Sequence, residues 1–268
     1  RKTHATPDDA YAFIGDPGLF VPSDVDEVHV SVTWTYDLPE AERLVKAWGH
    51  IAPTTMGGPA TGMRGEEFVP GMYVKEGYVI TSRGCPNRCW FCSVWRREGD
   101  TIRELPVRDG WNLLDDNILA TSEGHIREVF AMLGRQKKRA QFTGGLEAKR
   151  LRPWHVDLLR ELHPEQMFFA YDTPDDYEPL IEAGKLLDDG GIPHGDRSRR
   201  CYVLIGWPKD TFADAERRLW QTVDAGFWPM AMLYRDQQGK VSKEWKRFQR
   251  PWARPAAMAG MIKERLGV

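Results

Sequence analysis

From Tyr78 to Cys92 the chain reads YVITSRGCPNRCWFC. Residues 78–82 are a short run of aromatic and β-branched side chains between Gly77 and Arg83-Gly84, which is the pattern of a strand. The strand runs into a loop that carries Cys85, Cys89 and Cys92 within eight residues. Beyond the loop, strand and helix patterns alternate. Residues 111–114, 140–143, 167–171, 201–205 and 229–234 read as strands. Between them lie helices marked by Ile126, Val129, Phe130 and Leu133, by Val156, Leu159 and Leu162, by Leu180, Ile181 and Leu187, and by Phe212, Ala215, Leu219 and Val223. Thr211 with Asp214 forms a capping box for the last of these.

Repeated βα units imply a parallel sheet, and the nearly continuous apolar runs MFFAY and CYVLIG point to strands buried on both faces. An open or closed α/β barrel is the favoured architecture. Chemistry in such folds collects at the carboxyl ends of strands. Here those ends carry Cys85, the Asp115-Asp116-Asn117 run, Gly144 to Glu147, Asp172, Gly206 and Tyr234.

The chain has 268 residues, with 41% hydrophobic and 28% charged, enough for a sizeable core and for one main domain with attachments. A formal charge of -2 leaves no global field to recruit nucleic acid or an anionic membrane, so only local patches carry such a function. No apolar run approaches the roughly 20 residues that a membrane-spanning helix requires. The first residues hold no apolar secretory segment, and a cytoplasmic location is expected.

Four cysteines are too few, and three of them too clustered, for a disulfide scaffold; this distribution suggests a metal or redox site. Three sulfurs on one tight loop can ligate three corners of an iron-sulfur cube and leave the fourth iron open. Zinc would ask for a fourth ligand, and only Cys201 remains, on an apolar strand where it reads as a small buried hydrophobe. A ferredoxin-type cluster would also need a fourth cysteine. A non-catalytic, metal-stapled interaction module is the alternative class of protein.

The Cys85-Pro-Asn-Arg-Cys89-Trp-Phe-Cys92 loop, with gaps of three and two residues after a first strand, resembles the radical S-adenosylmethionine (radical SAM) superfamily. The resemblance implies a partial (β/α)6-type barrel and a [4Fe-4S] cluster held by Cys85, Cys89 and Cys92. It also implies that S-adenosylmethionine chelates the open iron and is cleaved reductively to a 5′-deoxyadenosyl radical, which abstracts hydrogen from a substrate. An electron donor such as flavodoxin or ferredoxin is implied as a partner. Phe91, before the third cysteine, matches the aromatic position near the adenine. The Gly-Gly-Glu-like segment that binds the methionyl amine has two counterparts: Asp115-Asp116-Asn117 by strand order, and Gly144-Gly145-Leu146-Glu147 by literal likeness, one strand later. Only 18 residues separate Cys92 from Gly110, so the first helix of the barrel is expected to be short or absent. Glu147 and Asp172 are candidates for the ribose or the amine, and Gly206 for close approach of backbone to adenine. Tyr171 and Tyr234 are candidates for lining the substrate pocket.

Residues 1–76 form an N-terminal β-α-β extension and connector, 77–235 the core barrel, and 236–268 a C-terminal extension. The N-terminal extension, with Gly57-Gly58-Pro59 after its second strand, resembles the end of the cobalamin-binding domain found before many radical SAM cores. It lacks the Asp-x-His-x-x-Gly motif, so no cobalamin is expected. Residues 235–254 interleave Arg235, Lys240, Lys243, Lys246, Arg247, Arg250 and Arg254 with Trp245, Phe248 and Trp252. Such a stretch either tracks nucleic acid, with phosphates neutralised and bases stacked, or is an amphipathic strap packed on the barrel. Arg197, Arg199, Arg200 and the run from Arg135 to Arg139 either extend this patch or are solvated loops.

Overall fold

The computed structural model describes residues 2–63, 73–193 and 197–266. A small N-terminal unit comes first: strand β1 (Val28–Ser31), helix α1 (Leu38–Trp48) and strand β2 (Thr54–Gly57). The two strands pair in parallel, Val28 with Thr54 through Ser31 with Gly57, over an apolar cluster of Val30, Val32 and Ala41. Both strands are four residues long. Asp37 holds the N-cap position of α1 but makes no side-chain capping bond, because residues 35–37 already turn as a 3-10 helix. Of the connector over residues 57–77, 59–61 form a further 3-10 turn, and 64–72 lie outside the described residues.

The first strand of the core is broken in two. β3 (Tyr78–Val79) joins the main sheet, whereas β4 (Ser82–Arg83) turns away and pairs antiparallel with β5 (Arg103–Glu104). Between β4 and β5 lies the cysteine loop with a single helical turn, α2 (Val94–Arg97), so the first crossover helix is nearly absent, as the short spacing predicts. Then follow β6 (Asn112–Leu113), α3 (Glu123–Gly134), β7 (Gln141–Phe142), α4 (Pro153–Leu162), β8 (Gln166–Ala170), α5 (Tyr177–Asp189), β9 (Arg199–Ile205), α6 (Phe212–Asp224) and β10 (Trp228–Leu233). Helices α7 (Lys243–Trp252) and α8 (Pro255–Leu266) complete the chain.

The six strands β3, β6, β7, β8, β9 and β10 lie in that order in one parallel sheet. The order never reverses. Parallel crossovers share a right-handed sense, and here each steps in the same direction, so the helices accumulate on one face. The expectation of strands buried on both faces holds for β8, where Met167, Phe168 and Phe169 are buried in succession, and not for β9. Along β9, Arg199, Cys201, Val203 and Ile205 are fully buried, while Arg200, Tyr202 and Leu204 are only half-buried. The CYVLIG run thus has Val and Ile facing the helices and Tyr and Leu on the open side. The core is accordingly the layer between sheet and helices, built from Met167, Phe169, Leu180, Val203, Leu219 and their neighbours, all 2% exposed or less.

Candidate functional site at the carboxyl ends of the strands

Asp115, just past β6, explains why β3 stops. Its carboxylate accepts from the Thr81 backbone N–H at 2.6 Å, the Thr81 hydroxyl at 2.7 Å and the Ser82 hydroxyl at 2.6 Å. These bonds replace the next rungs of the sheet and swing the chain outward into the cysteine loop. Asp115 is 1% exposed, and burial raises its pKa against the three bonds that lower it. Asp116 accepts from the Gly84 backbone N–H at 2.9 Å and lies 3.8 Å from the Arg83 guanidinium; burial raises its pKa, with Arg83 opposing. Beneath the loop the carboxylate of Glu98, 1% exposed, pairs with Arg97 and Arg103 at 2.9 Å each. The acidic run thus builds the loop's pedestal through its first two members.

Its third member faces the thiols. The Asn117 amide donates to the Cys85 sulfur at 3.6 Å and to Glu147 Oε2 at 2.5 Å. Arg150 donates to the same carboxylate oxygen at 2.6 Å, and Lys149 lies 3.5 Å from the other. Burial pushes the Glu147 pKa up, but the Asn117, Asn87 and Arg150 contacts outweigh it and hold the group below its ordinary value. Two strand ends that the sequence offers as competing registers are therefore brought to one place: Asn117 from the first, Glu147 from the second. Gly144 allows this approach, since a Cβ there would stand 2.3 Å from the Asp115 carbonyl oxygen.

Asp172 lies past the end of β8 and accepts from the Leu204 backbone N–H at 3.0 Å, extending the β8–β9 ladder with a side chain. Burial, opposed by that bond, raises its pKa to about 7. Gly206, at φ +77°, gives its N–H to Asp210 at 2.7 Å, and a Cβ there would meet Leu233 at 2.8 Å and the Trp245 ring at 3.1 Å. Its close approach is thus to Trp245. The fully buried Asp210 is paired with Arg218 at 2.8 Å, and the Arg218 guanidinium lies over the Trp207 ring at 4.2 Å. Tyr171 faces the helices: it is 3% exposed and donates to Gln221 on α6 at 2.7 Å, so it does not line the open face.

Trp90 is a member of the site that motif spacing does not single out. Half exposed within the cysteine loop, its ring lies 5.4 Å from Phe91, 6.3 Å from Trp207 and 5.8 Å from Tyr234. The loop that follows one edge strand therefore touches the segments that follow β9 and β10 at the other edge. Its only sequence signal is an aromatic residue beside Phe91 in a loop otherwise rich in turn formers.

All three thiols of the loop are free and partly exposed. Burial, then Cys92 and Cys85, push the Cys89 thiol up to about 11; burial likewise raises Cys92. Among the described residues no three His, Cys, Asp or Glu side chains converge as a ready cation cage. The donor set nonetheless suits a cationic iron-sulfur group: three soft sulfurs on one loop repel one another as thiolates, and a bound cation reverses that repulsion. Beside them Asn117 Oδ1 and Glu147 Oε1 are buried without a hydrogen-bond partner. Cys201 is fully buried on the helix side of β9 and stands apart from the three.

In the C-terminal stretch the aromatics pack inward. Trp252 is 3% exposed against Trp220, Trp245 and Phe248 meet Phe212, and Gln249 donates to the Ala231 carbonyl at 2.9 Å. Lys243, Lys246, Arg247 and Arg250 remain on the exposed side of α7. The aromatics of this stretch are thus packed as a strap, Trp252 buried and Trp245 and Phe248 half-buried. Among the described residues no helix is long and apolar enough to cross a membrane. No protein-family profile matches the sequence, and no curated protein is significantly similar to it.

Proposed function

We propose that this protein is a radical SAM enzyme, with Cys85, Cys89 and Cys92 as the protein ligands of a [4Fe-4S] cluster and S-adenosylmethionine as the second cofactor. The observation that carries the reading is the placing of the three-cysteine loop beside Asn117 and Glu147, at the carboxyl edge of a parallel sheet whose helices lie on one face. A partial barrel is the architecture that such a sheet favours, because uniform crossovers curl it around the uncovered face. The Trp90 contacts with Trp207 and Tyr234, joining the two edges, support that curl.

When bound, the cluster supplies the electron that cleaves S-adenosylmethionine to the radical that takes hydrogen from substrate. The chain's own part is positional. Asp115 and Asp116 fix the root of the loop. Asn117 is an amide donor beside Cys85, suited to lowering the basicity of a ligated sulfur. Glu147, held anionic by Asn117 and Arg150, is a fit acceptor for the methionyl amine. Phe91 and Trp90, in edge-to-face contact, give the cysteine loop an aromatic wall.

Anaerobic reconstitution with iron and sulfide tests the reading. A four-iron cluster with one distinct iron, lost in Cys85→Ala, Cys89→Ala and Cys92→Ala and accompanied by 5′-deoxyadenosine on reduction with S-adenosylmethionine, is the expected result. Stoichiometric zinc with no obtainable cluster overturns it in favour of a metal-stapled module.

A further inference from the structure

Arg200 lies on the uncovered face of β9, in register with Phe168 on β8 and Trp228 on β10. It is half-buried, its Nε is shielded from solvent without an acceptor, and its one contact of note is the Phe168 ring at 5.8 Å. Among the described residues it has no ion pair. Six other buried or half-buried arginines do: Arg83 with Asp116, Arg97 and Arg103 with Glu98, Arg150 with Glu147, Arg199 with Asp188 and Arg218 with Asp210. Burial, and then the nearby Arg197, lower the Arg200 pKa, so the surroundings oppose its charge. The guanidinium of Arg197, held at φ +62°, lies over the Trp228 ring at 5.0 Å. Among the described residues neither guanidinium group has an ion pair, and Glu165 opposes the repulsion at Arg200 only as a lesser charge, so the two form a cation site short of its anion. A guanidinium fork matches the paired oxygens of phosphate and carboxylate.

We propose that Arg200 and Arg197 form an oxyanion subsite, over an aromatic floor of Phe168, Tyr202 and Trp228, that holds the phosphate or carboxylate of an organic ligand on the uncovered face. Taken with the proposed cysteine centre, on which this clause alone rests, it also sets the length of the substrate. Five residues of β9 separate Arg200 from Ile205 at the carboxyl end, roughly 16 Å at a strand rise of about 3.3 Å per residue. The substrate would then carry its anionic group at that distance from its reacting carbon.

Calorimetric titration of the 268-residue chain, metal-free and at low ionic strength, with pyrophosphate and separately with succinate, tests the subsite. Saturable binding of either anion is expected, weakened tenfold or more in Arg200→Gln and in Arg197→Gln and unchanged in Arg217→Gln, an exposed arginine on α6; which anion binds tells phosphate from carboxylate. Absent binding, or equal binding by wild type and Arg200→Gln, overturns the proposal. Should Arg200→Gln fail to fold, Arg197→Gln, altered at an exposed position, decides the question by the same comparison. The titration needs neither cluster nor S-adenosylmethionine, so its failure leaves the cysteine centre untouched, and failed reconstitution leaves the subsite untouched.

Discussion

Arg199 and Arg200 are neighbours in one strand and meet opposite fates. Arg199, on the helix side, is wholly buried, pairs with Asp188 at 2.8 Å and also donates to the Ile192 carbonyl. Arg200, on the other side, has an aromatic ring and, among the described residues, no ion pair. The same contrast holds across the sheet. The helix side carries the apolar core and closed ion pairs, while the open side carries half-buried Tyr202 and Leu204 and the linked polar groups Asn112, Thr143 and Gln141. Burial on one side demands partners for every polar group; on the other side, groups can wait for a ligand.

The sharpest way to break this comparison is to remove each arginine in turn. Arg199→Ala should cost about 3 kcal/mol, through a buried cavity and unpaired carbonyls, whereas Arg200→Ala should change stability by less than about 1 kcal/mol in either direction. Urea melts of the two variants decide it; equal losses would mean that the faces do not differ.

A pH series sharpens the helix side. His155 on α4 is 3% exposed, its Nδ1 accepts from the Arg152 N–H at 3.0 Å, and its Nε2 has no partner. Burial, with Arg152 adding to it, lowers its pKa to about 4. The folded value lies below the unfolded one, so the unfolded chain binds the extra proton first. Stability is therefore full above about pH 6.5 and falls as pH drops toward 4, by roughly 2 kcal/mol at pH 4.5. Melts at pH 7.5 and 4.5 should show this loss in wild type and a smaller one in His155→Gln.

The smallest expected effect concerns sulfur. Cys201→Ala should cost about 1 kcal/mol and leave the iron content after reconstitution unchanged, because this thiol faces the helices. Loss of iron in that variant would move Cys201 into the site.

Much of the fold is legible locally. The helix over 212–224 is readable from its apolar spacing and from Thr211 as its N-cap, whose hydroxyl accepts from the Asp214 N–H at 3.1 Å; of the expected capping box only this half forms, the Thr211 hydroxyl itself donating to the Asp214 carboxylate at 2.7 Å. Every strand of the main sheet can be located from its apolar pattern, but β3, β6 and β7 are two residues long, because their ends are taken over by side chains such as Asp115 and by the loops they carry. At the site, the cysteine triplet and the acidic and glycine-rich strand ends are visible as motifs. Their division of labour is not: Asp115 anchors, Asn117 and Glu147 meet, and Tyr171 turns to the helices. Neighbouring residues of one motif separate because a strand end points successive side chains in opposite directions.

By itself, the sequence determined the alternation of strands and helices and the clustering of three thiols on one loop, since these depend on periodicity and spacing along the chain. The tertiary structure alone decided that the strand order runs without reversal, that the crossover helices lie on one face of the sheet, that the C-terminal aromatics pack as a strap, and that Trp90 reaches Trp207 and Tyr234. Those facts depend on which distant residues meet, and apolar spacing along the chain tells only that a side chain is to be buried, not against which partner.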